Sequence, residues 1–295
     1  MPGAVYVNGR IVSEGDAVVP VLDHGFLFGE GVYEVCCTYG GRPFLLDRHL
    51  ARLRRSAALI ALDVPPDAEL AEAVAATLRA GGFLPWRDGA PEAYVRLIVT
   101  RGVGEITYDP ASCPAPTVVV IARPHTPPPP EAYERGVRVA LVDVERNRKA
   151  ALNPLIKSNN LLNNALAMQQ AIARGAFEAV MRNYTGRIAE CSQSNLFVVR
   201  NGVVSTPPLD AGLLPGITRA FVLELCLELG IPAAENDLDV DGLLGADEAF
   251  LTSTTREIVP IVQVDDAPIG DGRPGPVTAR LLEAFRARVH ARAEA

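Results

Sequence analysis

Four consecutive prolines, Pro127 to Pro130, close the stretch Arg123-Pro124-His125-Thr126-Pro127-Pro128-Pro129-Pro130 and constrain this chain more than any other feature. Proline has no backbone N–H and a locked φ, so the stretch cannot continue a helix interior or a central strand. It reads as a stiff extended linker. A chain of 295 residues also exceeds what a single hydrophobic core usually carries. Together these facts predict two unequal parts: an N-terminal domain over 1–122 and a C-terminal domain over 132–295, joined by a linker over 123–131.

Both parts mix strand and helix signals. Asn8-Gly9 between Val5-Tyr6-Val7 and Arg10-Ile11-Val12 predicts a hairpin. Strands are expected over 31–38 and 42–46, turning at Gly40-Gly41, then at 94–100 and 117–122. Asp47 stands where a helix N-cap belongs, ahead of Leu50, Leu53, Ala57, Ala58 and Ala61. A second helix fits 67–80, closed by Gly81-Gly82. After the prolines, strands are predicted at 137–144, 178–182, 196–199, 203–205, 248–251 and 258–264, and helices at 161–174, 218–229 and 277–290. The pattern predicts an α/β (α+β) chain.

Composition removes several function classes. The net charge of -7 lacks the basic surplus expected of a nucleic-acid binder. Apolar runs such as Thr117 to Ala122 fall far short of the ~20 residues a membrane helix needs. Met1 to Arg10 reads as a strand and turn, not a signal segment. The five cysteines (Cys36, Cys37, Cys113, Cys191, Cys226) are scattered and odd in number, which suits a reducing cytoplasm and offers no zinc spacing. His24, His49, His125 and His290 show no metal spacing either, and no Gly-x-Ser-x-Gly elbow is present. Gly270-Asp271-Gly272-Arg273-Pro274-Gly275 has dinucleotide-fingerprint spacing. It lies too near the C-terminus for a following βαβ unit and reads as a turn.

The basic residues are 26 arginines and two lysines, Lys149 and Lys157. Guanidinium stays protonated, so arginine cannot replace lysine where a neutral amine must attack a carbonyl. Lys149 sits in the charged run Glu145-Arg146-Asn147-Arg148-Lys149 and reads as a solvated loop residue. Lys157, in Ile156-Lys157-Ser158-Asn159-Asn160 ahead of a helix, is the candidate Schiff-base lysine. Two segments downstream fit an anion. Leu214-Pro215-Gly216-Ile217-Thr218-Arg219 opens a helix whose N–H groups and dipole favour phosphate. Thr252-Ser253-Thr254-Thr255-Arg256 is a hydroxyl-dense turn. Each alone is commonly a capped helix start or a polar loop; their pairing with a rare lysine favours a phosphate pocket. Glu190, ahead of Cys191-Ser192-Gln193-Ser194-Asn195, is a lone acid suited to a pyridine nitrogen. Cys191 beside it makes a poor nucleophile, because the neighbouring acid raises its pKa.

These residues resemble the class IV, fold-type IV pyridoxal-phosphate enzymes: branched-chain and D-amino acid aminotransferases, (R)-amine transaminases and aminodeoxychorismate lyase. The resemblance runs from Phe28-Gly29-Glu30-Gly31-Val32-Tyr33-Glu34 to the last helix. It is carried by His49-Leu50-Ala51-Arg52-Leu53, Ile156-Lys157-Ser158, Glu190 with Ser194-Asn195-Leu196-Phe197, Gly216-Ile217-Thr218-Arg219 and Ser253-Thr254-Thr255-Arg256-Glu257-Ile258. It implies a smaller N-terminal and a larger cofactor-binding C-terminal domain, pyridoxal 5'-phosphate as cofactor, and a homodimer or higher homo-oligomer. By resemblance Lys157 carries the cofactor and shuttles the proton. Arg52, Gly216, Ile217, Thr218, Thr254 and Thr255 hold its phosphate. Glu190 pairs with its ring nitrogen, Asn195 also binds the cofactor, Leu214 packs on the ring, and Tyr33 lies in the substrate pocket.

Ala93-Tyr94-Val95-Arg96 is similar to branched-chain aminotransferases, where the Tyr and Arg orient substrate and accept the distal carboxylate of glutamate. The Arg-x-His trap of D-amino acid aminotransferases is replaced here by Ile106-Thr107-Tyr108. Leu162 stands where many branched-chain enzymes have Tyr, and Ser253-Thr254-Thr255 is closer to the D-enzyme pattern. The resemblance therefore implies transfer of an amino group, from branched-chain L-amino acids to 2-oxoglutarate. A D-amino acid or (R)-amine transaminase is the alternative, and a lyase is a further one. A binding protein without chemistry is disfavoured by the presence of both the lysine and its acid partner.

Overall fold

The computed structural model describes residues 3–294, with backbone alone for His290 and residues 292–294. Its chain divides into two compact units. One takes the residues up to Thr126 together with Ile156–Asn160 and the end of the chain from Val289; the other takes Pro127–Leu155 and Leu161–Arg288.

The first unit is an antiparallel sheet of six strands with helices on one face. In chain order it holds β1 (Ala4–Val7), β2 (Arg10–Val12), α1 (His24–Leu27), β3 (Gly31–Tyr39), β4 (Arg42–Pro43), α2 (Leu46–Ala58), α3 (Asp67–Ala80), β5 (Ala93–Thr100) and β6 (Thr117–Pro124). The strands lie in the order β2-β1-β6-β5-β3-β4. The predicted hairpin forms at Asn8-Gly9, where both residues take the positive φ (45° and 90°) that such a turn demands. Side chains alternate along strands, and β5 shows this cleanly. Val95, Leu97 and Val99 are buried against Leu50, Leu53, Leu70, Val74 and Leu78 of the helices, while Tyr94, Arg96 and Ile98 are half-buried on the opposite face.

The second unit centres on a mixed sheet of nine strands. Its elements are α4 (Pro130–Glu134), β7 (Val137–Leu141), α5 (Leu162–Ala173), β8 (Glu178–Arg182), β9 (Ile188–Cys191), β10 (Asn195–Arg200), β11 (Val203–Thr206), α6 (Ile217–Glu228), β12 (Ala233–Glu235), α7 (Val240–Leu244), β13 (Glu248–Ser253), β14 (Glu257–Val264) and β15 (Ala267–Pro268). The strands lie in the order β12-β11-β10-β13-β14-β7-β8-β9, with β15 beside β14. The last helix, α8, runs Pro276–Glu294. Val139, Val180, Ile188, Leu196, Leu251 and Val259 form the buried centre of the unit. Helix α5 lies on β7 and β8 through the small residues Ala167 and Ala171, both fully buried, which let the helix approach closely.

Several expectations are corrected. Asp47 lies inside the first turn of α2 and not at its cap; Leu45, in the left-handed region, occupies the N-cap. The strand after Gly40-Gly41 ends at Pro43, because Pro43 offers no N–H to extend the ladder. β7 stops at Leu141, short of Val144. The proline run is extended only over His125 to Pro129: β6 reaches Pro124, and Pro130 starts α4 at a position where its missing N–H costs nothing. The segment 132–295 is not continuous in space, since Ile156–Asn160 packs with the first unit. Gly270 to Gly275 is a turn region ahead of α8. Among the described residues no helix is long and apolar enough to cross a membrane. Met1 and Pro2 lie outside the described residues.

Candidate active site

In the first unit the two faces of β3 carry two groups of polar residues. Lys157 is fixed at the edge of the sheet through its backbone. Its N–H donates to Ser56 Oγ at 3.1 Å, its carbonyl accepts from the Tyr33 N–H at 3.0 Å, and Asn159 N–H donates to Gly31 O at 3.0 Å. A Cβ on Gly31 would meet Asn159 Nδ2 at 2.6 Å and Val99 O at 2.9 Å, so the close approach of this segment requires glycine. The half-buried Lys157 side chain places Nζ 4.5 Å from the Tyr33 ring centroid. Arg96, one step diagonal across the β3–β5 ladder, places its guanidinium carbon 4.1 Å from the same centroid. Among the described residues no carboxylate pairs with Lys157 or Arg96. Two cations therefore share one aromatic ring and have no anion. Tyr94 stands on the same face, two residues along β5.

The other face of β3 carries Glu34. Its carboxylate accepts from Arg52 Nε and Arg52 Nη2, each at 2.7 Å, and from His49 Nδ1 at 2.7 Å. All three residues are buried. Burial alone would raise the Glu34 carboxyl, but Arg52 and then His49 outweigh it and hold it down at about 2. His49 is lowered below its ordinary value, chiefly by burial. Its Nδ1 lies against the Glu34 carboxylate, and its buried Nε2 has no partner among the described residues. His49, Arg52 and Ser56 lie on one face of α2 at turn-by-turn spacing. One helix therefore supports both the arginine and the lysine.

In the second unit Glu190 is buried on β9, an element the sequence reading missed. Its Oε1 accepts from Arg146 Nε at 2.7 Å, and its Oε2 accepts from Leu214 N–H at 3.1 Å and Asn195 Nδ2 at 3.3 Å. Asn195 also donates to Leu214 O at 3.0 Å, and a Cβ on Gly216 would meet Asn195 Oδ1 at 1.9 Å. Glu190, Asn195, Leu214 and Gly216 are thus one hydrogen-bonded and sterically interlocked group. Gly216 is the N-cap of α6, and no side chain caps the helix. Ile217 and Thr218 open it, so their N–H groups face outward as a ready anion site.

Thr254 and Thr255 occupy the turn between β13 and β14. That turn is tied down by Arg256, which donates to Glu178 Oε2 at 2.5 Å and to Gln193 Oε1 at 3.0 Å. Glu178 also accepts from Ser192 Oγ and Ser194 Oγ and from the Gln193 N–H. The buried Thr252 hydroxyl, opposite Asn195 in the ladder, has no partner among the described residues. The Cys191 thiol is pushed well above its ordinary value by burial first and by Glu178 and Glu190 next. Lys149 is exposed.

Tyr33, Arg96 and Lys157 are therefore gathered in the first unit, and Glu190, Asn195, Leu214 and Gly216 in the second. Among the described residues Thr254 and Thr255 make no hydrogen bond to the Glu190 group. The sequence reading missed Glu34, Ser56, Arg146 and Glu178, whose partners are remote in sequence. Each unit carries groups that suit a phosphorylated pyridine aldehyde: the first an amine with no acid partner among the described residues, the second a buried carboxylate, an uncapped helix start and a buried hydroxyl with no partner among the described residues.

The model of the amino-transferase class IV family matches residues 31–264. The putative branched-chain-amino-acid aminotransferase of Methanocaldococcus jannaschii is 41% identical over 283 residues, covering 96% of this chain and 95% of the relative. The D-alanine aminotransferase of Bacillus licheniformis is 36% identical, again covering 96% of this chain and 95% of the relative. A T.th. branched-chain amino acid aminotransferase, solved with pyridoxamine 5'-phosphate, superposes at a TM-score of 0.90 with 31% identity, covering 99% of this chain and 95% of that one. The same enzyme has been solved with N-(5'-phosphopyridoxyl)-L-glutamate. Fold, donor set and these likenesses agree: the chain belongs to the class IV aminotransferases, with the fold-type IV architecture and pyridoxal 5'-phosphate as its cofactor.

Proposed function

We propose that this enzyme transfers the amino group of branched-chain L-amino acids to 2-oxoglutarate. The observation that carries this reading is Arg96, a half-buried guanidinium stacked on Tyr33 beside Lys157 with no carboxylate partner among the described residues. A guanidinium so placed is a receptor for a carboxylate, and a dicarboxylate acceptor has one to spare. Similarity to a D-alanine aminotransferase favours a second reading, a D-amino acid or (R)-amine transaminase.

Pyridoxal phosphate, when bound, supplies the aldehyde that takes up the donor amine and a ring that stores the electron pair released at Cα. Lys157 Nζ would hold the cofactor and would carry the proton off and back onto carbon. Its backbone, pinned by Ser56 and Tyr33, limits where Nζ can reach. Tyr33 and Arg96, with Tyr94 beside them, orient the substrate. Glu190, its angle set by the Asn195 and Leu214 donors, would serve the ring nitrogen. Arg52, held in place by Glu34, would contribute its charge to the phosphate, as would the Gly216-Ile217-Thr218 backbone and the Thr254-Thr255 turn. A homodimer belongs to the same proposal. Val18, Val21, Phe26, Ile106 and Tyr108 stand exposed on the first unit, where Asp23 bridges Val103 and Phe28 contacts Tyr108. So many large apolar side chains left exposed on one unit favour a second copy. The five free thiols favour a cytoplasmic setting.

The test is a single half-reaction on the purified holoenzyme with L-leucine, D-alanine, D-glutamate or (R)-1-phenylethylamine, following the yellow band as it converts to the amine form. Conversion by L-leucine alone supports the branched-chain reading. Conversion by the D-amino acids or the amine promotes the second reading, and no conversion by any donor reopens the lyase.

A further inference from the structure

We infer that Arg146 is a positioning residue for the cofactor's ring nitrogen, acting through the Glu190 carboxylate. The inference rests on the assignment of Glu190 proposed above. Arg146 comes from the charged run Glu145-Arg146-Asn147-Arg148-Lys149, in which Glu145, Arg148 and Lys149 are exposed and Arg146 alone is buried, at 8% exposure. Backbone and side-chain bonds hold it inward. Its N–H donates to Arg182 O on β8 at 2.8 Å, and Asn163 of α5 clamps the backbone on both sides, donating to Glu145 O at 2.8 Å and accepting from Asn147 N–H at 3.3 Å. The same Asn163 Oδ1 accepts from Arg146 Nη1 at 3.3 Å. The guanidinium is thus held before it meets Glu190.

The acceptor inventory says what that contact does. A carboxylate offers about four acceptor positions. Buried Glu178, in the same unit, has four donors on it: Ser192 and Gln193 on Oε1, Ser194 and Arg256 on Oε2. Its acceptor positions are filled. Glu190 has three, two on Oε2 from Leu214 and Asn195 and one on Oε1 from Arg146. The position left over is on Oε1, the oxygen that Arg146 grips, and a pyridinium N–H needs one such acceptor. Arg146 is also the one cation within ion-pair distance of Glu190 among the described residues. It supplies the countercharge a buried carboxylate needs and turns the remaining position toward the ring. Arg146 and the ring nitrogen share one oxygen.

The test measures binding to the full-length chain stripped of cofactor, by absorbance and fluorescence titration. The two ligands are pyridoxal phosphate and its carba analogue, in which C–H replaces the ring nitrogen. Arg146→Gln should weaken pyridoxal phosphate about tenfold, the size of one hydrogen bond to a charged group, and leave the carba analogue within about twofold. Arg146→Lys should restore part of the loss, and it serves if the Gln variant fails to fold. The double variant Arg146→Gln/Glu190→Gln should bind no more weakly than Glu190→Gln alone, because both act at one point. Equal losses for both ligands, or losses that add in the double variant, would mean a merely structural ion pair and overturn the inference. If Glu190→Gln itself fails to discriminate between the ligands, the assignment of Glu190 is what has failed, and the role of Arg146 falls with it.

Discussion

Replacing Arg256 by Met removes the cation from a carboxylate that has no access to water. Glu178 is 0% exposed, and the Arg256 guanidinium reaches it at 2.5 Å while also bonding Gln193 and lying 5.0 Å from the Phe177 ring centroid. Breaking a buried pair by deleting one partner costs about 3–5 kcal/mol. Three donors, from Ser192, Gln193 and Ser194, stay on Glu178, which places the loss near the lower end, about 3 kcal/mol. The pH dependence is the sharper part. Burial raises the Glu178 carboxyl, and Arg256 is the first force opposing it. Without Arg256 it rises further. A group raised in the folded state loses stability as pH climbs through its folded value, and regains it when protonated below its unfolded value. The deficit of Arg256→Met relative to the parent should therefore be largest near pH 8 and shrink toward pH 5. Urea unfolding followed by circular dichroism at both pH values reads it. Adding Glu178→Gln should restore more than half of the loss at high pH. A deficit under about 1 kcal/mol, or one that neither changes with pH nor responds to Glu178→Gln, would refute the argument.

Other expectations follow from the same geometry. Lys157→Ala should abolish the yellow band of the lysine-bound cofactor and all turnover while leaving the circular dichroism spectrum intact; a retained band removes Lys157 from its role. Arg96→Ala should raise the KM for 2-oxoglutarate by about tenfold or more and that for a monocarboxylate keto acid far less; equal losses would make Arg96 structural. Gly216→Ala forces a Cβ onto Asn195 Oδ1, which is anchored to Glu190 and Leu214, so cofactor affinity should fall; unchanged binding would show that the interlock yields. On acidification below about pH 6.5 the unfolded chain binds a proton that buried His49 refuses, so stability should decline there, and Glu34 adds its loss from about 4.5 down toward 2. His49→Gln should flatten the upper part of that slope; an unchanged slope assigns it to other groups.

Local chemistry was legible in the chain. Asn8-Gly9 demanded a turn of positive φ, the β-branched and aromatic run over 94–100 pointed to a strand, and the spacing over 67–80 demanded the helix that forms there. The scarcity of lysine singled out Lys157, since arginine cannot do its chemistry. Such signals depend on neighbours a few residues apart. What the site residues lean on does not. Arg52 and Glu34 are 18 positions apart, Arg146 and Glu190 are 44 apart, and Arg256 and Glu178 are 78 apart. Burial sorted Arg146 from its exposed neighbours, and no local pattern marks which member of a charged run turns inward. The backbone bonds of Lys157 to Ser56 and Tyr33 likewise come only from the return of Ile156–Asn160 to the first unit. The sequence by itself determined the reacting groups and the elements that bear them. Tertiary structure decided which charges are paired, which acceptor positions stay open and where the lysine stands, because those depend on desolvation and contact between residues the chain keeps far apart.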